Sequence, residues 1–172
     1  VMKIKGESKR KDVTLVWSKK VVDSEHVMAE LEAAGYEVVC DSNDTDAATV
    51  VINTCGFIGD AKEESINTIL EFVKAKAEGL IDRLFVIGCL SERYADQLRK
   101  EIPEVDDYFG ARDFTGVVER LTGKFRQELA TTRNLTTPLH YVYLKISEGS
   151  KWPCAYCDIP LHSGQHVSQT IV

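Results

Sequence analysis

Between Asp12 and Leu121, short apolar runs rich in β-branched residues alternate with amphipathic ones, and this alternation constrains the fold more than any single motif. DVTLVW (12–17), YEVVC (36–40), TVVINTC (49–55), RLFVIGC (83–89) and DDYFGA (106–111) read as strands. After the first of them, Val27, Met28 and Leu31, with Gly35 where a C-cap belongs, predict a helix over 23–34. A second helix is expected to open on the capping pair Asp60 and Glu63, to place Ile66, Ile69, Leu70, Val73 and Ala77 on one face, and to end at Gly79. Ser91 as N-cap, Tyr94, Leu98 and Ile102 at spacing four, and Pro103 as a stop predict a third; FTGVVERL (114–121) is the fourth. Strands alternating with helices give an α/β fold, a parallel sheet with helices on both faces.

The 172 residues suffice for one such domain and a fragment of another, with a core that needs no staples. No apolar run approaches the ~18 residues of a membrane span, so no membrane role is expected. The net charge of −6 argues against a chain that wraps nucleic acid, and no direct nucleic-acid binding is expected. The one basic run, KIKGESKRK (3–11), reads as a solvated tail over 1–11. No secretory leader is recognisable, and five cysteines are too few and too odd in number for a disulfide framework. A reducing cytoplasm is the expected home.

In a parallel sheet every strand's carboxyl end lies on one edge, where ligand crevices form. Trp17, Cys55 and Cys89 are therefore expected on one rim, whereas Cys40 reads as a small buried hydrophobe. No strand is followed by a Gly-rich phosphate loop, and there is no G-x-S-x-G elbow. After Thr122 the pattern lapses into a polar linker over 123–138; HYVYLKI (140–146) restarts as a strand leading to C-x2-C at Cys154 and Cys157. With His162 and His166 this tail has the form C-x2-C-x4-H-x3-H, an alternative zinc set.

The blocks VVDSE (21–25), VINTCGFIGDAKEESINTILE (51–71), GCLSERY (88–94), YLKISEG (143–149) and PCAYCDIPL (153–161) resemble the RimO-type methylthiotransferases, from about Asp12 to Ser168. The resemblance implies radical S-adenosylmethionine enzymes that methylthiolate an aspartate of small-subunit ribosomal protein twelve, so the ribosomal protein or the ribosome is the implied partner. It further implies a flavodoxin-like amino-terminal domain over 12–122 and the first strand and cluster loop of a truncated radical-SAM barrel over 139–172. Two four-iron clusters and S-adenosylmethionine are the implied cofactors. Cys55 and Cys89 match two of three ligands of an auxiliary cluster, and Trp17 stands at the third position, in TLVWSKK where the family pattern reads T-L-G-C-S-K-N. Cys154 and Cys157 match the last two ligands of the radical cluster, which also binds S-adenosylmethionine, and Ser150 stands at the first. The chain alone is expected to be inactive, and a cluster-free α/β interaction module is the alternative.

Overall fold

The computed structural model describes residues 3–4, 12–17, 21–40, 44–45, 47–56, 59–123, 133–138, 140–152, 155 and 164–168. Five strands, β1 (Asp12–Trp17), β2 (Glu37–Cys40), β3 (Thr49–Thr54), β4 (Arg83–Gly88) and β5 (Asp107–Phe109), form one sheet in the order β2-β1-β3-β4-β5. All four pairings are parallel. The helices between them are α1 (Val21–Ala33), α2 (Gly59–Ala77), α3 (Cys89–Glu101) and α4 (Phe114–Thr122).

Alternate residues of the central strands feed two separate cores. Val50 and Ile52 of β3 with Leu84 and Val86 of β4 meet Ile69 and Phe72 of α2 and Leu90 and Leu98 of α3. Val51, Phe85 and Ile87 point to the other face, against Val27 and Leu31 of α1 and Val117, Val118 and Leu121 of α4. Every residue of β3 is buried, as a strand covered on both faces requires. The sheet is thus a parallel one with two helices on each face, a flavodoxin-like arrangement in which the strand order reverses between β1 and β3.

Several local expectations are corrected. The buried stripe of α2 is Ala61, Ser65, Ile69, Phe72 and Ala75, while Leu70 is 40% exposed and Ala77 is exposed. The expected stripe therefore has to turn by about a third of a turn, because Phe72, the largest apolar side chain on that helix, takes the deepest position. Gly59 opens α2 ahead of Asp60, which lies in the first turn. Gly88 is the N-cap of α3, so Ser91 falls inside the helix, where its hydroxyl donates to the carbonyl of Phe109 at 2.5 Å and ties α3 to β5.

Residues 140–146 form no strand: Tyr141, Val142, Tyr143, Leu144 and Ile146 are 46–79% exposed. A strand needs a neighbour for its backbone groups, and among the described residues this run has none. Pairing begins only at Ser147–Glu148, antiparallel to Val167–Ser168. At the other end Lys3–Ile4 pairs parallel with Asp44–Thr45, so the basic tail is partly engaged. Among the described residues no helix is long and apolar enough to cross a membrane.

Candidate functional site: a cysteine rim at the sheet's carboxyl edge

The register of the sheet sets the site. Trp17 pairs with Asn53, Asn53 with Ile87, and Thr54 with Gly88. Cys55 and Cys89 each follow the last pair of β3 and β4, and the backbone of Trp17 ends β1 one strand away. All three lie along the sheet's carboxyl edge, with Trp17 and Cys55 flanking the point where the strand order reverses and Cys89 one strand further on.

Two glycines allow the cysteine-bearing segments to pack backbone to backbone. A Cβ on Gly56 would sit 2.8 Å from Leu90 Cα and 3.0 Å from the Cys89 carbonyl carbon. Gly88 has φ +119°, and a Cβ there would lie 2.3 Å from the carbonyl oxygen of Thr54; only glycine tolerates both the dihedral and the contact. A tight strand-to-helix turn follows, and Cys89 is the first residue of α3, 7% exposed. Cys55 is half-buried, and Cys55 and Cys89 are both free thiols.

Neighbouring side chains fix the rim. The backbone N–H of Cys55 donates to Ser65 Oγ at 3.1 Å, and that hydroxyl donates to the Ala61 carbonyl at 2.7 Å. Thr54 Oγ1 donates to the Ile87 carbonyl at 2.8 Å, and Asn53 Nδ2 to Ser24 Oγ at 3.1 Å. Sequence reasoning missed Ser24, Asn53, Thr54 and Ser65 as supports. A polar residue within an otherwise apolar strand, or on the inward stripe of a helix, is the signal that marks such groups. Below the rim lies a void of about 10 Å³ bordered by Leu15, Val27, Asn53, Ile87 and Val117, with room for one water at most.

Two thiols and an indole do not make a three-thiolate donor set, since the indole nitrogen carries a proton and has no lone pair to give. Among the described residues no three His, Cys, Asp or Glu side chains are grouped to hold one metal ion. The residues present therefore do not fit a cluster held by three cysteines.

Cys154, Cys157 and His162 lie outside the described residues. Of the second motif Ser150 is described: its N–H donates to the Gly164 carbonyl at 3.1 Å, and its Oγ accepts from Trp152 N–H at 3.3 Å. His166 is half-buried, with Nε2 3.0 Å from Ser168 Oγ. Cys40 is half-buried beside Met28, Sγ to Sδ 3.0 Å, in place of the full burial expected.

A doubly wound parallel α/β domain with free cysteines closing adjacent strands beside the switch point defines the class. Residues 14–110, more than half of the chain, match the family described as "Uncharacterized protein family UPF0004", and the chain belongs to that family. It is 54% identical over 159 residues to the ribosomal protein uS12 methylthiotransferase RimO of Bacteroides fragilis, covering 92% of this chain and 37% of that protein. To the proteins of the same name from Flavobacterium psychrophilum and Cytophaga hutchinsonii it is 52% identical over 159 residues and 47% over 169. It covers 36% and 39% of those two proteins. The chain spans a little over a third of the length of the curated relatives it matches, their amino-terminal part.

Proposed function

We propose that the chain is the amino-terminal part of a RimO-type methylthiotransferase, a transferase of the radical S-adenosylmethionine class that works in the cytoplasm on an aspartate of ribosomal protein uS12. The observation that carries this reading is the rim: the two cysteines matched by the resemblance end adjacent strands and are braced through Ser65 and the Thr54–Gly88 pair. Cys55 and Cys89 are two ligand positions of an auxiliary iron–sulfur cluster, with Trp17 at the third. Residues 12–122 are the α/β domain, 123–138 connect it, and 139–172 begin the radical-SAM region. Within that region Cys154 and Cys157 belong to the cluster that binds S-adenosylmethionine, with Ser150 at its first position. The chain by itself neither cleaves S-adenosylmethionine nor modifies uS12.

A domain exchange tests the reading. Residues 12–122, with Trp17→Cys, replace the matching part of the Bacteroides fragilis protein, and uS12 is examined by mass spectrometry for a methylthiolated aspartate. The exchange carrying Cys at 17 should restore modification and the one carrying Trp should not. A folded exchange that stays inactive with Cys at 17, or works equally with Trp, would contradict it.

The donor set favours a second reading, an α/β module that keeps a ribosomal partner and holds no cluster, because an indole cannot replace a thiolate. Binding of the unaltered chain to uS12, undisturbed when Cys55 and Cys89 are both changed to Ser, would support that reading over the first.

A further inference from the structure

Two neighbouring residues of the VVDSE block, Ser24 and Glu25, are 4% and 1% exposed, and they hold two different parts of the molecule. Ser24 Oγ accepts from Asn53, two residues ahead of Cys55. Glu25 reaches across 111 residues of sequence: its Oε1 accepts the backbone N–H of Thr136 at 2.6 Å and the Thr136 hydroxyl at 2.7 Å. Its Oε2 lies 3.1 Å from Arg133 Nε, with the arginine side chain 15% exposed, and the Glu25 carbonyl accepts from Asn134 N–H at 3.3 Å. Two turns further along α1, Glu32 Oε2 accepts from Asn134 Nδ2.

A carboxylate this deeply buried is destabilising unless its lone pairs are used, and here one short segment supplies every partner named for it. Contacts of that kind are not the mark of a passive polar tether. The segment also belongs to the stretch that the sequence pattern marks as a linker, which makes the buried ion pair the unexpected element.

We propose that Ser24 and Glu25 form a joint: one turn of α1 braces the β3 end of the cysteine rim and clamps residues 133–136. The chain beyond Pro138 therefore departs from a point fixed relative to Cys55. The joint is built from contacts within this chain and does not rest on the methylthiotransferase reading, so either can fail without the other.

Hydrogen exchange and limited proteolysis of the whole chain test it. The Thr136 amide should exchange at least about tenfold more slowly than in the denatured chain, as a charge-assisted hydrogen bond to a buried acceptor requires. Glu25→Ala should abolish that protection and raise tryptic cleavage after Arg133 by about tenfold, while β3 amides stay protected. Glu25→Gln keeps the acceptor for Thr136 but removes the charge facing Arg133, so cleavage should rise while much of the Thr136 protection remains. An unprotected Thr136 amide in the unaltered chain would overturn the proposal even if Glu25→Ala does not fold. So would Glu25→Ala protein whose Thr136 exchange and Arg133 cleavage are unchanged.

Discussion

Thr54 and Gly88 are register partners on adjacent parallel strands, and the Thr54 carbonyl oxygen occupies the space a Gly88 side chain would need. The residues that follow them, Cys55 and Cys89, consequently leave the sheet side by side. Gly88→Ala adds a Cβ at φ +119° and 2.3 Å from that oxygen, a strained dihedral and a backbone collision at once. Stability should fall by about 2–4 kcal/mol. Urea unfolding should show a lower midpoint with an unchanged slope; a midpoint like that of the unaltered chain would mean that the turn relaxes freely.

The corrected face of α2 is tested by a pair of substitutions. Phe72→Ala empties a fully buried ring site between β3, β4 and α3 and should cost about 3–5 kcal/mol. Leu70→Ala, at a residue 40% exposed, should cost no more than about 0.5 kcal/mol. Comparable losses from the two would restore the face expected from periodicity.

Tyr108 carries the third prediction. Burial pushes its hydroxyl up from 10.0 to about 12, assisted by Glu104 and opposed by Arg99, and the O–H donates to the Ile102 carbonyl at 2.9 Å. The folded chain therefore favours the neutral phenol. This contribution is fully present below pH 10 and is lost as pH rises from 10 toward 12, because the unfolded chain ionises first. The slope from this one group is on the order of 1.4 kcal/mol per pH unit. Ultraviolet titration should show one of the six tyrosines ionising late, and Tyr108→Phe should remove that step and flatten the loss of stability. A Tyr108→Phe chain that keeps the late step would reassign it to another tyrosine.

What the sequence disclosed and what it hid divide along physical lines. Five of the six residues of the β3 run TVVINT are β-branched, with Val50, Val51 and Ile52 consecutive as suits a strand covered on both faces, and so its place in a parallel sheet was legible, as was the arrival of Cys55 and Cys89 at one edge. The α2 face was harder to read, since Ile66, Leu70 and Phe72 compete and three-dimensional packing alone decides which of them goes deepest. His140 to Ile146 alternates like a strand, yet among the described residues it has no neighbour to pair with. Glu25 could not be picked out as a support, because its partner Thr136 lies 111 residues away, whereas Ser65 carries a local signal, a polar residue on the inward stripe of α2.

The central claim is that Cys55 and Cys89 are two positions of a three-ligand rim whose third position is Trp17. It is tested most directly by anaerobic reconstitution with iron and sulfide, in a background carrying Cys154→Ser and Cys157→Ser so that only the rim is counted. With Trp17→Cys the chain should gain the broad visible absorbance of an iron–sulfur cluster and up to about four irons per chain. The same chain with Trp17 retained should fall well short, and adding Cys89→Ser to Trp17→Cys should abolish the gain. A Trp17→Cys chain that takes up no more iron than its Trp17 counterpart, or one that keeps its cluster after Cys89→Ser, would contradict the account.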